Sequence, residues 1–143
     1  MPVPARVSLV TLGVDDLKRS TAFYSALGWT LSPASTEAVS FFHTGGAILA
    51  LFAAEDLVAE TGTVSAEVPG FRGVTLAVNV ESPEAVDAAV DDACRAGATL
   101  VRGPSTAEWG GHVGYVADPD GHVWEIAYNP GFPLDGNGLP QLP

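Results

Sequence analysis

Residues 118–130 read DPDGHVWEIAYNP. Asp-Pro-Asp-Gly carries the residue types that suit each position of a tight turn. The residues from His122 to Tyr128 form a strand, and Asn129-Pro130 stops it. One carboxylate, Glu125, sits among apolar neighbours in that strand. It is a metal ligand, an acid or base, a counter-charge, or only a charged residue near a strand end. What the rest of the chain places beside it decides between these.

Working outward, HVGYVA (His112–Ala117) precedes the turn, so the whole stretch reads as a hairpin. Upstream, SPEAVDAAVDDACRAGA reads as a helix with Ser82 as cap, Pro83 in the first turn and Gly97 at the end. Val86, Ala89, Val90 and Ala93 make its apolar stripe, while Glu84, Asp87, Asp91 and Arg95 face water. Cys94 borders that stripe and reads as packing. Before the helix, GVTLAVNV alternates, with Val74, Leu76, Val78 and Val80 on one face and Gly73, Thr75, Ala77 and Asn79 on the other.

The first half repeats this order. RVSLVTLGV alternates, with Val10, Leu12 and Val14 opposite Leu9, Thr11 and Gly13. A short helix follows, with Asp15 or Asp16 at its start and Gly28 at its stop. VSFFHTGGAILALF is a hairpin turning near Gly45-Gly46. Two strand–helix–hairpin modules therefore span residues 6–52 and 73–128, joined by a connector at 53–72. An irregular tail rich in Pro and Gly occupies 129–143 and is expected to lie along the surface. Neither module buries its sheet alone, so the two should pack together in one domain of residues 1–143. In both leading strands one face is bulky and the other carries small side chains. A sheet lined that way leaves room for a small-molecule ligand, unless Phe42, Trp109 or Tyr115 fills the space.

Composition narrows the function. Six basic residues against seventeen acidic ones give a formal net charge of −11. That disfavours nucleic acid and anionic membranes as partners and favours cationic ligands. No stretch reads as a targeting or membrane segment, and the single cysteine fits a reducing compartment, so the expected location is the cytoplasm. No nucleophile elbow, phosphate-binding glycine loop or dinucleotide fingerprint is present.

VTLGVDDLKRSTAFYSALGW (Val10–Trp29) together with GYVADPDGHVWEIAYNP (Gly114–Pro130) resembles the vicinal oxygen chelate superfamily. That group includes glyoxalase I, bleomycin-resistance proteins and extradiol dioxygenases, and the likeness covers about residues 6–130. It implies an α+β fold of two tandem βαβββ modules, forming a cupped mixed sheet with helices outside. The alternation pattern agrees with this independently. The resemblance also implies a divalent metal held inside the cup. Carried over by position, its four ligand places are Leu9, Ala50 or Leu51, Thr75 and Glu125. Only Glu125 is a strong donor, and one carboxylate does not hold a catalytic metal, so no resident metal is expected.

Three functions follow. The first is a bleomycin-resistance-like protein that sequesters or carries a small aromatic or cationic compound. Its pocket would use Leu9, Thr11, Thr75, Ala77, Trp109, His112, Tyr115 and Glu125, and the resemblance implies a homodimer. The second is a glyoxalase-like lyase or isomerase, or a dioxygenase. Its site would be metal-free, with Glu125 as catalytic base helped by His112 or Tyr115, or rebuilt around a His112–Glu125 metal pair. The third is an interaction module whose cup is filled.

Overall fold

The computed structural model describes residues 3, 5–62 and 71–142. Strand β1 (Leu9–Val14) leads into helix α1 (Leu17–Ala26), then strands β2 (Val39–Phe42) and β3 (Ile48–Ala53) and helix α2 (Ala54–Thr61). The second half runs β4 (Thr75–Asn79), α3 (Pro83–Ala96), β5 (Thr99–Thr106), β6 (His112–Ala117) and β7 (Val123–Tyr128). The expected α+β fold with paired modules is present. The first sheet has the order β1-β3-β2 and the second β4-β7-β6-β5. In each, the first strand runs parallel to the last and the hairpins are antiparallel, so both sheets are mixed. The fourth strand of the first module is reduced to one bridge, Leu31 to Phe42.

Local chemistry explains the helices. Asp16 caps α1, its carboxylate accepting from the Arg19 amide at 3.1 Å, and Gly28 follows the helix at φ +88°. Ser82 caps α3 by accepting from the Ala85 amide, and Gly97 ends it at φ +116°. Helix α2 arises in the expected connector. Its start at Ala53 has no side-chain cap, which is why the sequence gives it no start signal. Residues 63–70 of that connector lie outside the described residues.

The two cores are contiguous. Leu12, Val14, Phe23, Tyr24, Leu49 and Leu51 cluster between α1 and the first sheet, and Leu76 and Trp124 of the second module pack against them. Val86, Val90, Ala93, Val116 and Ile126 form the counterpart under α3. Phe42 is wholly buried beside Tyr24, on the helix side, so it does not fill the opposite face.

A buried polar knot joins the modules. Asp118 opens the turn between β6 and β7 and is 3% exposed. Its Oδ1 accepts from the amides of Asp120 and His122 at 2.9 and 2.8 Å, closing the turn. Its Oδ2 accepts from the Tyr24 hydroxyl at 2.7 Å, and that hydroxyl accepts from Trp124 Nε1 at 3.0 Å. Burial, and then the charge of Asp118, push the Tyr24 phenol well above its ordinary value. Asp120 reaches the start of α1, accepting from the Asp15 amide at 2.8 Å and the Ser20 hydroxyl at 2.6 Å. The turn motif thus serves twice, as a hairpin tip and as the clasp between modules.

Candidate ligand site

Register decides which side chains share a face. Across the second sheet, Ala77 pairs with Glu125, Glu125 with Tyr115, and Tyr115 with Arg102. Paired residues point the same way, so Ala77, Glu125 and Tyr115 form one row on the face turned away from α3, while Arg102 lies where the β5–β6 register shifts. Thr75 lies one step along, opposite Val123. Thr75 and Ala77 are exposed, and Glu125 and Tyr115 are half-buried. Among the described residues neither the Glu125 nor the Arg102 side chain makes a hydrogen bond or an ion pair. Two strand spacings, about 9–10 Å, separate their backbones.

The matching face of the first sheet carries Leu9, Thr11, Ile48, Ala50 and Phe41, paired Leu9 to Ile48 and Thr11 to Ala50 to Phe41. It holds no ionisable side chain along β1, β2 and β3. Helix α2 shelters its far end: a Cβ on Gly13 would lie 3.5 Å from the Leu57 side chain. Thr11 remains exposed, while Ala50 is 2% exposed.

Two of the sequence-selected residues are placed elsewhere. His112 pairs with Tyr128 and faces α3, on the opposite side of the sheet from Glu125. Its Nε2 donates to Asp87 of α3 at 2.7 Å, and its Nδ1 meets the Thr106 hydroxyl at 2.9 Å. The expected His112–Glu125 pair is therefore not formed, because His112 and Tyr115 are three positions apart and an odd step changes face. Trp109 lies in the 107–111 loop with its indole over Gly111, where a Cβ would be 1.9 Å from the ring. It is 59% exposed. Among the described residues neither His43 nor His122 makes a side-chain hydrogen bond to Glu125. His122 Nε2 donates to the Gly13 carbonyl at 2.9 Å, which leaves Nδ1 to accept from Arg72 at 3.1 Å.

A divalent metal of the kind the resemblance implies does not fit these residues. At the four ligand positions Leu9 and Ala50 have no donor atom, Thr75 offers a neutral hydroxyl, and Glu125 offers a carboxylate. Pooling both sheets, in one chain or across two, leaves one strong donor where at least three are needed. Among the described residues, no three His, Cys, Asp or Glu side chains converge as a metal site would require.

Two mixed sheets with repeated strand–helix–hairpin order define a paired-module α+β domain. The family model for the glyoxalase/bleomycin resistance protein/dioxygenase superfamily matches residues 6–126, and the chain belongs to that superfamily. A glyoxalase-related enzyme from Fulvimarina pelagi is 34% identical, with 97% of this chain and 99% of that one covered and a TM-score of 0.87. A glyoxalase/bleomycin resistance protein/dioxygenase from Nocardioides is 30% identical over 100% of this chain and 93% of that one, with a TM-score of 0.75. A lactoylglutathione lyase from Agrobacterium tumefaciens shares the fold at 21% identity, with a TM-score of 0.65 over 88% of this chain and 95% of that one. No curated protein matches the chain. Among the described residues no helix is long and apolar enough to cross a membrane.

Proposed function

We propose that this protein binds a small aromatic or cationic molecule on the open face around Glu125 without a resident metal, and sequesters or carries it. The observation that carries the reading is a half-buried carboxylate with no partner among the described residues, flanked across the sheet by Ala77 and Tyr115. A charged group held in a folded sheet without a partner is costly unless water or a ligand completes it. The small Ala77 leaves space, and Tyr115 offers an aromatic surface beside the charge. A net charge of −11 adds a field that draws cations toward the molecule. The reading includes cytoplasmic location. It also includes a homodimer: Leu9 and Ile48 are 48% and 41% exposed on the open face of the first sheet, next to the free edge of β1. Sedimentation at micromolar concentration tests the dimer.

The binding test is titration of chelator-treated protein with planar organic cations. Saturable binding that weakens about tenfold or more in Glu125→Gln supports the proposal. Binding by neither protein to any member of a broad cation panel would leave the open face without this role.

One observation favours a second reading, an acid–base enzyme with no metal. Tyr115 and Glu125 are cross-strand partners, so a base and a hydroxyl acid stand side by side. A lyase or isomerase reaction would use both, and His112, facing α3, would take no part. Its signature is lost turnover with retained binding in Glu125→Gln.

A further inference from the structure

The seam between the modules carries a feature separate from Glu125. A cleft of about 650 Å³ runs along the free edge of β4. Because that edge is unpaired, residues from both faces of the strand line it, Leu76 and Val78 from one and Ala77 and Asn79 from the other. Val10 and Leu49 of the first module form the opposite wall, and Trp29 and Trp124 also line the cleft. Those two indoles meet edge to face, with centroids 5.4 Å apart. The tail closes one side. A hydrogen-bonded loop is made where the Asp135 carboxylate accepts from the amides of Asn137 and Leu139 at 2.8 and 3.0 Å. It sits on the hairpin tip, with Leu139 3.8 Å from where a Cβ on Gly45 or Gly46 would be.

We propose that this seam cleft is a second binding site, taking an uncharged, planar, largely apolar molecule with one hydrogen-bonding end. Three observations converge on that class. The volume lies in the range of drug-sized pockets, about 300–1,000 Å³. No Asp, Glu, Lys or Arg is among the lining residues, although the chain holds seventeen acidic and six basic ones. Three polar side chains that line it, His43, Asn79 and Asn137, make no hydrogen bond among the described residues. Apolar walls, two indoles and a few free polar groups suit a neutral ring system with a carbonyl or hydroxyl group. The site does not include Glu125, although it shares Ala77 and Ile48 with the open faces, and the Glu125→Gln variant separates the two proposals.

The test uses N-phenyl-1-naphthylamine, an uncharged dye whose emission rises in apolar surroundings, with the full chain. Two of the three tryptophans line the cleft, so bound dye should quench protein emission as its own rises. Saturable binding is expected in the micromolar range, within about twofold of wild type in Glu125→Gln. Ala47→Phe, which fills the cleft, should weaken binding by about tenfold or more. Leu139→Asp places a charge in the wall from a residue 37% exposed, so it should weaken binding with little change in melting point. No saturable binding below about 100 µM overturns the proposal. Folded Ala47→Phe and Leu139→Asp proteins that bind as wild type also overturn it. Loss of dye binding in Glu125→Gln would do the same, by moving the dye to the open face.

Discussion

Two carboxylates of the last hairpin, Asp118 and Glu125, stand seven positions apart, and the protein treats them in opposite ways. Asp118 is buried, and its two oxygens accept three hydrogen bonds, one of them from Tyr24 in the other module. Glu125 is half-buried on the open face and accepts none from the described residues. The fold accounts for Asp118 completely: remove it and a turn, a buried phenol and the clasp between modules lose their partner. Nothing among the described residues accounts for Glu125. A charged residue that stabilises nothing around it is where an external partner is to be sought, whereas a perturbed group such as Tyr24 here marks architecture.

That contrast predicts stability effects on one side and binding effects on the other. Tyr24→Ala should be the most damaging change, costing about 3–5 kcal/mol of unfolding free energy, since it empties a fully buried aromatic site and strands Asp118. Asp118→Ala should follow at about 2–4 kcal/mol, through three lost hydrogen bonds and an unpaired phenol. Urea denaturation of the purified variants measures both. A loss below 1 kcal/mol in either would break the distinction between the two carboxylates.

Tyr24→Phe sharpens it. At neutral pH it should cost about 1–3 kcal/mol, the penalty of leaving a buried carboxylate oxygen unpaired. The phenol's value is raised in the folded protein, so above about pH 10 the unfolded chain releases a proton that the folded chain keeps. The unfolded state then binds fewer protons, and stability falls as pH rises. Wild type should show this decline and Tyr24→Phe should lack its share, so the gap between them narrows above about pH 10. Parallel curves would contradict the placement of the phenol. The smallest stability change belongs to Glu125→Gln, within about 0.5 kcal/mol of wild type by the same denaturation. A larger loss would mean that Glu125 has a structural partner after all.

Much of the fold was legible in the sequence because its signals are local. Asp16, Ser82, Gly28 and Gly97 announce helix ends by capping chemistry, and strict alternation separated Leu12 and Val14 from Thr11 before any coordinates. Alternation also put Glu125 on the face opposite His122. Four features were not legible, each for a physical reason. Helix α2 begins at an uncapped alanine. The facing of His112 depends on the pairing of β6 with β7, across a turn whose length the sequence does not convert into register. The clasp joins Tyr24 to Asp118, 94 residues apart, and no periodicity reports such a contact. The seam cleft is hidden for the same reason, since tail, hairpin tip and β4 meet only in three dimensions.

Glu125 as a lone donor is the central claim, and thermal melting of chelator-treated protein tests it most directly. The protein would be titrated with nickel, manganese, iron(II), zinc and cobalt after its metal content as purified is measured. A metal that prefers the folded state must raise the melting point. The account predicts no saturable shift and far less than one metal per chain. A saturable shift with near-stoichiometric metal, lost in Glu125→Ala, would contradict it and make the open face a metal centre.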